Sequence, residues 1–152
     1  DVVSFYGLSV LKLDSITHST QLSLDLLRVV ETIAQARGVG AGACAKGECA
    51  GIEQISLNFL TISMTSATKA LFEQLSSIEN PDISKQLSSS SLVIKNGVDN
   101  LLNVINTQLL EDKKTSISAE DYFSLATKPI NDLLEIFDEI ILYTSQQYTR
   151  TT

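Results

Sequence analysis

Apolar residues recur every three or four positions along most of this chain, and no segment shows the alternation typical of a half-buried strand. This spacing places the apolar side chains on one face of an α-helix. It defines four helical segments, at about 5–37, 52–78, 81–110 and 119–148. Because these segments have similar lengths and short connections, they predict an all-α fold. The expected architecture is an elongated, antiparallel up-down-up-down four-helix bundle with both chain ends at one pole.

The apolar positions that recur within each segment are the predicted core. They are Leu8, Leu11, Ile16, Leu22, Leu26, Val30 and Ile33 in the first segment; Ile55, Phe59, Ile62, Ala67, Ala70, Leu71, Leu75 and Ile78 in the second; Ile83, Leu87, Ile94, Val98, Leu101, Ile105 and Leu109 in the third; and Tyr122, Ala126, Leu133, Ile136, Ile140 and Tyr143 in the fourth. Further apolar residues widen the face of the fourth segment, which we therefore expect to be the most buried: Phe123, Ile130, Leu134, Phe137 and Ile141.

Local signals mark the starts of the third and fourth helices. Pro81 suits a first helical turn, where its missing N–H leaves no hydrogen bond unmade. Ser118, three residues before Asp121, is typical of a helix cap. Pro129 lies well inside the fourth helix, and we expect it to kink the axis because it removes one backbone hydrogen bond.

The composition narrows the class of partner. A net charge of −7 with only 11 basic residues offers no basic surface, so we expect neither nucleic acid nor an anionic membrane to be the main partner. No apolar run reaches the roughly 18 residues that cross a bilayer. The sequence starts abruptly in periodic sequence and without a signal peptide. We therefore expect residues 1–152 to be a single domain cut from a longer protein.

Groups of residues that perform catalysis are missing from the sequence. His18 is the only histidine and lies within the first helical segment, so no Ser-His-Asp arrangement stands out. The same histidine is a whole helix away from the two cysteines, which argues against a zinc site. The sequence therefore predicts a protein that is not an enzyme and that holds neither a metal ion nor a cofactor.

Cys44 and Cys49 are the only cysteines and lie five residues apart. In an oxidising compartment such a pair forms a disulfide that closes a short loop, and the alternative is two free buried thiols. Residues five apart on one helix point away from each other and cannot be bridged. A disulfide therefore requires that the chain leave the helix between the two cysteines, which Gly47 permits.

Arg37 is the candidate ligand-binding residue. It follows Val30 by seven residues and Leu26 by eleven, so it returns to nearly the same helix face. The first apolar stripe thus ends in a guanidinium that points at or near the bundle interior. The glycine-rich residues that follow, 38–49, are predicted to form a turn at the tip of the bundle.

Antiparallel topology brings other polar residues to the level of Arg37. The start of the fourth helix and the end of the third carry Tyr122, Phe123, Thr127, Asn106 and Gln108. A guanidinium among hydroxyl and amide groups suits a small planar anion, which it contacts through two hydrogen bonds. The predicted ligand-binding residues are Arg37, Tyr122, Thr127 and Asn106. The alternative is an ordinary ion pair from Arg37 to Glu120 or Asp121.

The stretch ETIAQARGVGAGACAKGE, followed by an amphipathic helix, resembles the first helix and turn of bacterial extracytoplasmic sensor domains. These all-helical modules occur in methyl-accepting chemotaxis proteins and sensor kinases. The chain is most similar to the nitrate- and nitrite-sensing type, with Ala36-Arg37-Gly38 where that type has a form close to Glu-Arg-Gly. The later stretch SAEDYFSLATKPINDLLEIFDEI is likewise similar to a later helix of that type.

The resemblance implies a function in signalling. It implies a periplasmic sensor domain, part of an inner-membrane protein anchored by flanking helices, that binds a small molecule or a periplasmic binding protein. It also implies a homodimer, in which a second Arg37 completes the site. A ligand at the tip would act by shifting one helix, or one protomer, against another. The alternative is a secreted helical-bundle binding or inhibitor protein without a signalling role.

Overall fold

The computed structural model describes the backbone of residues 2–79, 81–112 and 114–151, and the side chains of residues 20–79, 81–112, 114–143 and 145–146. Four long helices, α1 (Val2–Lys46), α2 (Ile52–Ser76), α3 (Pro81–Val104) and α4 (Ala119–Thr151), follow one another along the chain. α3 continues directly into a π-helical stretch at Ile105–Leu110. The predicted all-α fold is confirmed.

The helices form a closed ring in which α1 packs against α2 and α4, and α3 also packs against α2 and α4. The α1–α2 and α3–α4 connections meet at one end of the bundle. There the Thr115 N–H donates to the Gly47 carbonyl at 3.1 Å, and Glu48 forms an antiparallel bridge with Lys114. We call this the turn end. α1 begins and α4 ends at the opposite end, as the antiparallel prediction requires.

The core runs along the centre of the ring. It contains buried residues from every helix, and the largest fully buried side chains are Tyr122, Leu26, Ile33, Leu57, Met64, Leu71, Ile94, Leu101, Ile105, Leu109, Leu133 and Ile136. The predicted core of α3 is confirmed almost residue by residue, with Ile83 half-buried. In α1, Leu22, Leu26 and Ile33 are buried as predicted. Leu8, Leu11, Ile16 and His18 lie outside the residues whose side chains are described.

α1 does not end near Arg37, as the sequence predicted, but continues to Lys46. Three glycines of the expected turn, Gly38, Gly40 and Gly42, are therefore helical. Each costs the helix about 1 kcal/mol relative to alanine. Tertiary packing offsets this cost, because the inward-facing residues of the segment are buried: Ala36, Gly40, Ala43 and Cys44.

The predicted core of α2 is confirmed in the second half of the helix, where Ala67, Leu71 and Leu75 are buried, but the first half turns a different face to the core. Ile55, Phe59 and Ile62 were expected to be buried, but they are exposed to 71%, 68% and 72%. The buried row is instead Leu57, Leu60, Met64, Ala67, Thr68, Leu71 and Leu75. Both rows have helical spacing, and only the second continues without a break along the whole helix.

α4 buries a narrower face than predicted. The main row is confirmed: Tyr122, Ala126, Leu133, Ile136 and Ile140 are buried. Of the residues expected to widen it, Ile130 is buried and Phe137 is half-buried. Phe123, Leu134 and Ile141 are 40–46% exposed, so the wider face was a wrong prediction. A helix at a corner of the ring touches only two neighbours, so Leu134 and Ile141 lie on its solvent side, whereas Phe123 borders α1 through its contact with Arg37.

The predicted helix starts are confirmed. α3 begins at Pro81, and the Asp121 N–H donates to Ser118 Oγ at 3.1 Å at the start of α4. α4 runs through Pro129 without interruption, and a kink there stays a prediction. α3 passes close to this proline, since a Cβ on Gly97 would lie 3.4 Å from it. None of the helices, over the part that the structure describes, is long and apolar enough to cross a membrane.

Candidate functional site

Arg37 reaches from α1 to α4. Its guanidinium donates a hydrogen bond to Thr127 Oγ1 at 3.0 Å, and its Cζ lies 4.4 Å from the centroid of the Phe123 ring. Phe123 and Thr127 are one helical turn apart and face the same way. The Thr127 hydroxyl donates to the Phe123 carbonyl at 2.7 Å, so its oxygen is free to accept from Arg37. The ring and the hydroxyl together fix the guanidinium at the α1–α4 seam.

No carboxylate among the described side chains neutralises the charge of Arg37. Neither Glu120 nor Asp121 forms an ion pair with it, and among the described side chains its hydrogen-bond partner is Thr127 alone. The alternative interpretation as a simple ion pair is therefore not seen. A guanidinium has five N–H donors, and this one is half-buried. Its remaining donors can bind an anion at a position shielded in part from water.

Tyr122 lies beside this group but is fully buried. Its hydroxyl donates to the Ala36 carbonyl at 2.6 Å, and its ring passes over Gly40 with no room for a side chain there. The residue therefore locks α1 to α4 one position before Arg37. Through this bond the tyrosine helps to position Arg37. The sequence predicted that Tyr122 contacts the ligand directly. Because its side chain does not reach solvent, such a contact would require the bundle to open.

Asn106 lies in the π-helical stretch with its side chain exposed, and no hydrogen bond joins it to Arg37 within the described part. Gln108, the other amide expected at this level, accepts a hydrogen bond from Ser116 Oγ at 3.2 Å.

Phe123 was expected as a neighbour of Arg37 but was not among the predicted ligand-binding residues, although its ring contacts the guanidinium. Its four-residue spacing from Thr127 was the available signal.

Cys44 and Cys49 lie at the turn end, on either side of the end of α1. The chain leaves the helix between them, as the disulfide prediction required, and Gly47 has a φ of 76°. Both thiols are buried, and the two sulfurs are not bonded in this structure. Burial raises the pKa of both thiols; Cys49 raises the pKa of Cys44 further, and Lys46 lowers that of Cys49.

The same cluster affects Tyr122. Burial raises the pKa of its hydroxyl well above the ordinary value, and the two thiols add to this shift. Groups whose pKa is raised by folding stabilise the fold below their unfolded pKa. This contribution is lost as the pH rises above that value, because the unfolded chain then releases protons that the folded chain keeps. The two thiols and the phenol therefore stay uncharged in the folded chain to a higher pH than in the unfolded chain.

We expect a disulfide between Cys44 and Cys49 to form when the folded chain meets an oxidising thiol couple. Oxidised glutathione would be reduced as the two thiols lose two hydrogens, and free-thiol titration measures the loss. Closing so short a loop should raise the free energy of unfolding by about 2 kcal/mol. Thermal melting with and without reductant tests this gain, and Cys49→Ala is the control that should show no redox dependence. Thiols that persist in oxidised glutathione would contradict the prediction.

A groove of about 410 Å³ lies between α2 and α3. Its apolar floor contains Phe72, Val98 and Leu102, and its rim carries Lys69, Lys95, Glu73 and Asp99. Opposite charges on the rim balance each other, so the groove has no preference for an anion. No group of three metal-ligating side chains is found in the described part of the chain. The α1–α4 seam at Arg37 is therefore the better candidate site.

Comparisons of the chain with protein-family models, with curated proteins and with solved structures found no match. The resemblance to bacterial sensor domains accordingly stays a prediction from the stretches quoted above.

Proposed function

We propose that the chain is the extracytoplasmic ligand-sensing domain of a bacterial chemoreceptor or a related transmembrane signalling protein. It would form the periplasmic part of an inner-membrane protein whose flanking helices anchor it. Its ligand is a small molecule, and a planar anion is the class that the site chemistry favours. The observation that supports this proposal is Arg37, fixed against Phe123 and Thr127 without a carboxylate partner among the described side chains.

Arg37 is prepared to bind an anion before the anion arrives. Contact with the Phe123 ring and the Thr127 hydroxyl removes rotational freedom from the guanidinium, so less entropy is lost when a ligand binds. Partial burial strengthens the attraction between the charges, since less water screens them. An isolated surface arginine would have neither advantage.

The position of the site suits a relay of the signal along the bundle. Arg37 belongs to α1 and Thr127 to α4, the two helices whose far ends lie together away from the turn end. An anion that binds the remaining N–H donors of Arg37 attracts the guanidinium, and so shifts the Arg37–Thr127 contact between the two helices. The shift is limited by the difference in affinity of the ligand for the two helix arrangements.

Thermal melting with a panel of nitrate, nitrite, carboxylates and amino acids tests the proposal. A ligand at one hundred times its Kd stabilises a protein by about 2.7 kcal/mol. For a chain of this size we expect a rise in Tm of about 5–10 °C. Arg37→Ala should abolish the rise, and Arg37→Lys should weaken it because an ammonium cannot bind an anion through a planar pair of donors.

Arg28→Ala is the matched control. Arg28 is an exposed arginine on the same helix and points to the opposite side of it from Arg37. Its removal changes the net charge by the same amount. The ligand-induced rise in Tm should persist in this variant. A rise that survives in Arg37→Ala, or that disappears equally in Arg28→Ala, would exclude Arg37 as the anion contact.

A secreted helical-bundle binding or inhibitor protein remains the second candidate, because a bundle with an anion site needs no membrane. The two candidates differ in the gene that encodes the chain. A sensor domain requires an apolar span of about 20 residues on each side of the bundle. A full-length translation without both spans would exclude the sensor proposal and leave the binding protein.

A further inference from the structure

The exposed row of α2 is a continuous apolar surface. Ile52, Ile55, Phe59 and Ile62 are 82%, 71%, 68% and 72% exposed, and they lie on the side of α2 opposite its buried row. We call these four residues the α2 stripe. Among the described side chains, the other exposed large apolar residues lie on other helices, and the four on α4 are spread from Phe123 to Leu142, whereas the α2 stripe occupies about 15 Å of one helix. A surface of this kind marks an interaction site.

The α2 stripe lies in the least charged part of the chain. Residues 54–68 contain no charged residue, although the whole chain carries a net charge of −7. The residues that flank the stripe are hydroxyl and amide residues: Ser56, Asn58, Ser63 and Thr65. Two copies of an acidic protein repel each other over most of their surfaces, so an uncharged face is where they can meet at least electrostatic cost. A helix that binds a membrane surface has basic flanks instead, and residues 54–68 contain no basic residue.

The spacing and area of the stripe fit a second copy of the same helix. Steps of three, four and three residues follow the seam of a two-helix coiled coil, in which each apolar side chain inserts between those of an identical partner. At roughly 150 Å² for each large apolar side chain, the stripe exposes roughly 450 Å² per copy. With its polar flanks, a pair would approach the low end of specific interfaces, about 1,200 Å² in total.

We propose that two copies of this chain form a dimer through the α2 stripe. α2 and α4 occupy opposite corners of the ring, so the Arg37 seam of each copy lies away from the partner. Each anion site is then complete within one chain, and a second Arg37 does not contribute to it. Dimerisation through α2 does not depend on the sensory role, because it follows from the surface of α2 alone.

Sedimentation equilibrium of the 152-residue chain tests the proposal. From about 10 µM to about 1 mM, the apparent mass should rise from 16.5 kDa towards twice that value. Phe59→Glu should raise the dimer Kd by about tenfold or more, since it places a charge at the centre of the interface. Ile55→Lys should do the same although it makes the chain less acidic, which separates loss of the apolar contact from charge repulsion.

Leu142→Glu is the matched control. Leu142 is 60% exposed on α4, away from α2, so this variant should dimerise as the unmodified chain does. Circular dichroism melting checks that each variant is folded. We expect all of them to fold, because the substituted side chains are exposed. An unmodified chain that stays monomeric at about 1 mM would overturn the proposal. So would unchanged dimerisation of Phe59→Glu or Ile55→Lys, or an equal loss in Leu142→Glu.

Discussion

Gly40→Ala is expected to lower the free energy of unfolding by about 3 kcal/mol, although alanine is the better helix former. A Cβ at this position would stand less than 3.0 Å from the Tyr122 hydroxyl oxygen and from two of its ring carbons. Tyr122 cannot move aside at low cost, because it is fully buried and its hydroxyl donates to the Ala36 carbonyl. Either the ring leaves its site or α1 separates from α4.

Gly42→Ala is the control for this substitution. Gly42 lies half a turn further along the same helix, and a Cβ there would meet nothing within 4 Å. The same chemical change should therefore raise the free energy of unfolding by about 0.5–1 kcal/mol, because it reduces the freedom of the unfolded chain. Chemical denaturation gives both values. In thermal melting we expect Tm to fall by about 6–12 °C for Gly40→Ala.

Opposite signs for two neighbouring glycines would show that α1 is helical past Arg37 and packs on Tyr122. If the residues after Arg37 formed a loop, neither glycine would face Tyr122, and the two substitutions would have similar small effects. Equal changes in both variants would therefore contradict the packing described here.

The extension of α1 shows where sequence reasoning stops. Glycines at 38, 40 and 42 led to the prediction of a turn, but their local preference of about 1 kcal/mol per residue is overridden by burial of the inward face. The contact that needs Gly40 comes from Tyr122, a residue far along the chain. Local patterns cannot reveal such a contact, whereas they do place Gly47, where the backbone has a positive φ.

The candidate site was predictable in its α1–α4 half. The helical face of Arg37 and the antiparallel order are sufficient to bring Phe123 and Thr127 to it. The contribution of α3 was not predictable. Asn106 lies in a π-helical stretch, whose wider winding changes the direction of successive side chains, and the sequence Ile105–Leu110 carries no signal for it.

α2 shows that helical spacing alone does not decide which face is buried. The predicted row joined Ile55, Phe59 and Ile62 to Ala67, and the step of five residues after Ile62 breaks the helical face. The buried row passes from Leu57 to Leu75 in steps of three and four, with Thr68 buried beside Ala67. Continuity along the whole helix was the signal that favoured the second row.

Leu57→Ala is accordingly expected to lower the free energy of unfolding by about 3 kcal/mol, whereas Ile55→Ala should change it by less than about 0.5 kcal/mol. Leu57 is fully buried, so its truncation leaves a cavity, while Ile55 is 71% exposed and leaves none. Denaturation in urea at low micromolar concentration measures both values on the monomer, where Ile55 has no partner to lose. A larger loss in Ile55→Ala than in Leu57→Ala would mean that α2 is rotated by about half a turn, which would bury the stripe and remove the basis for the dimer.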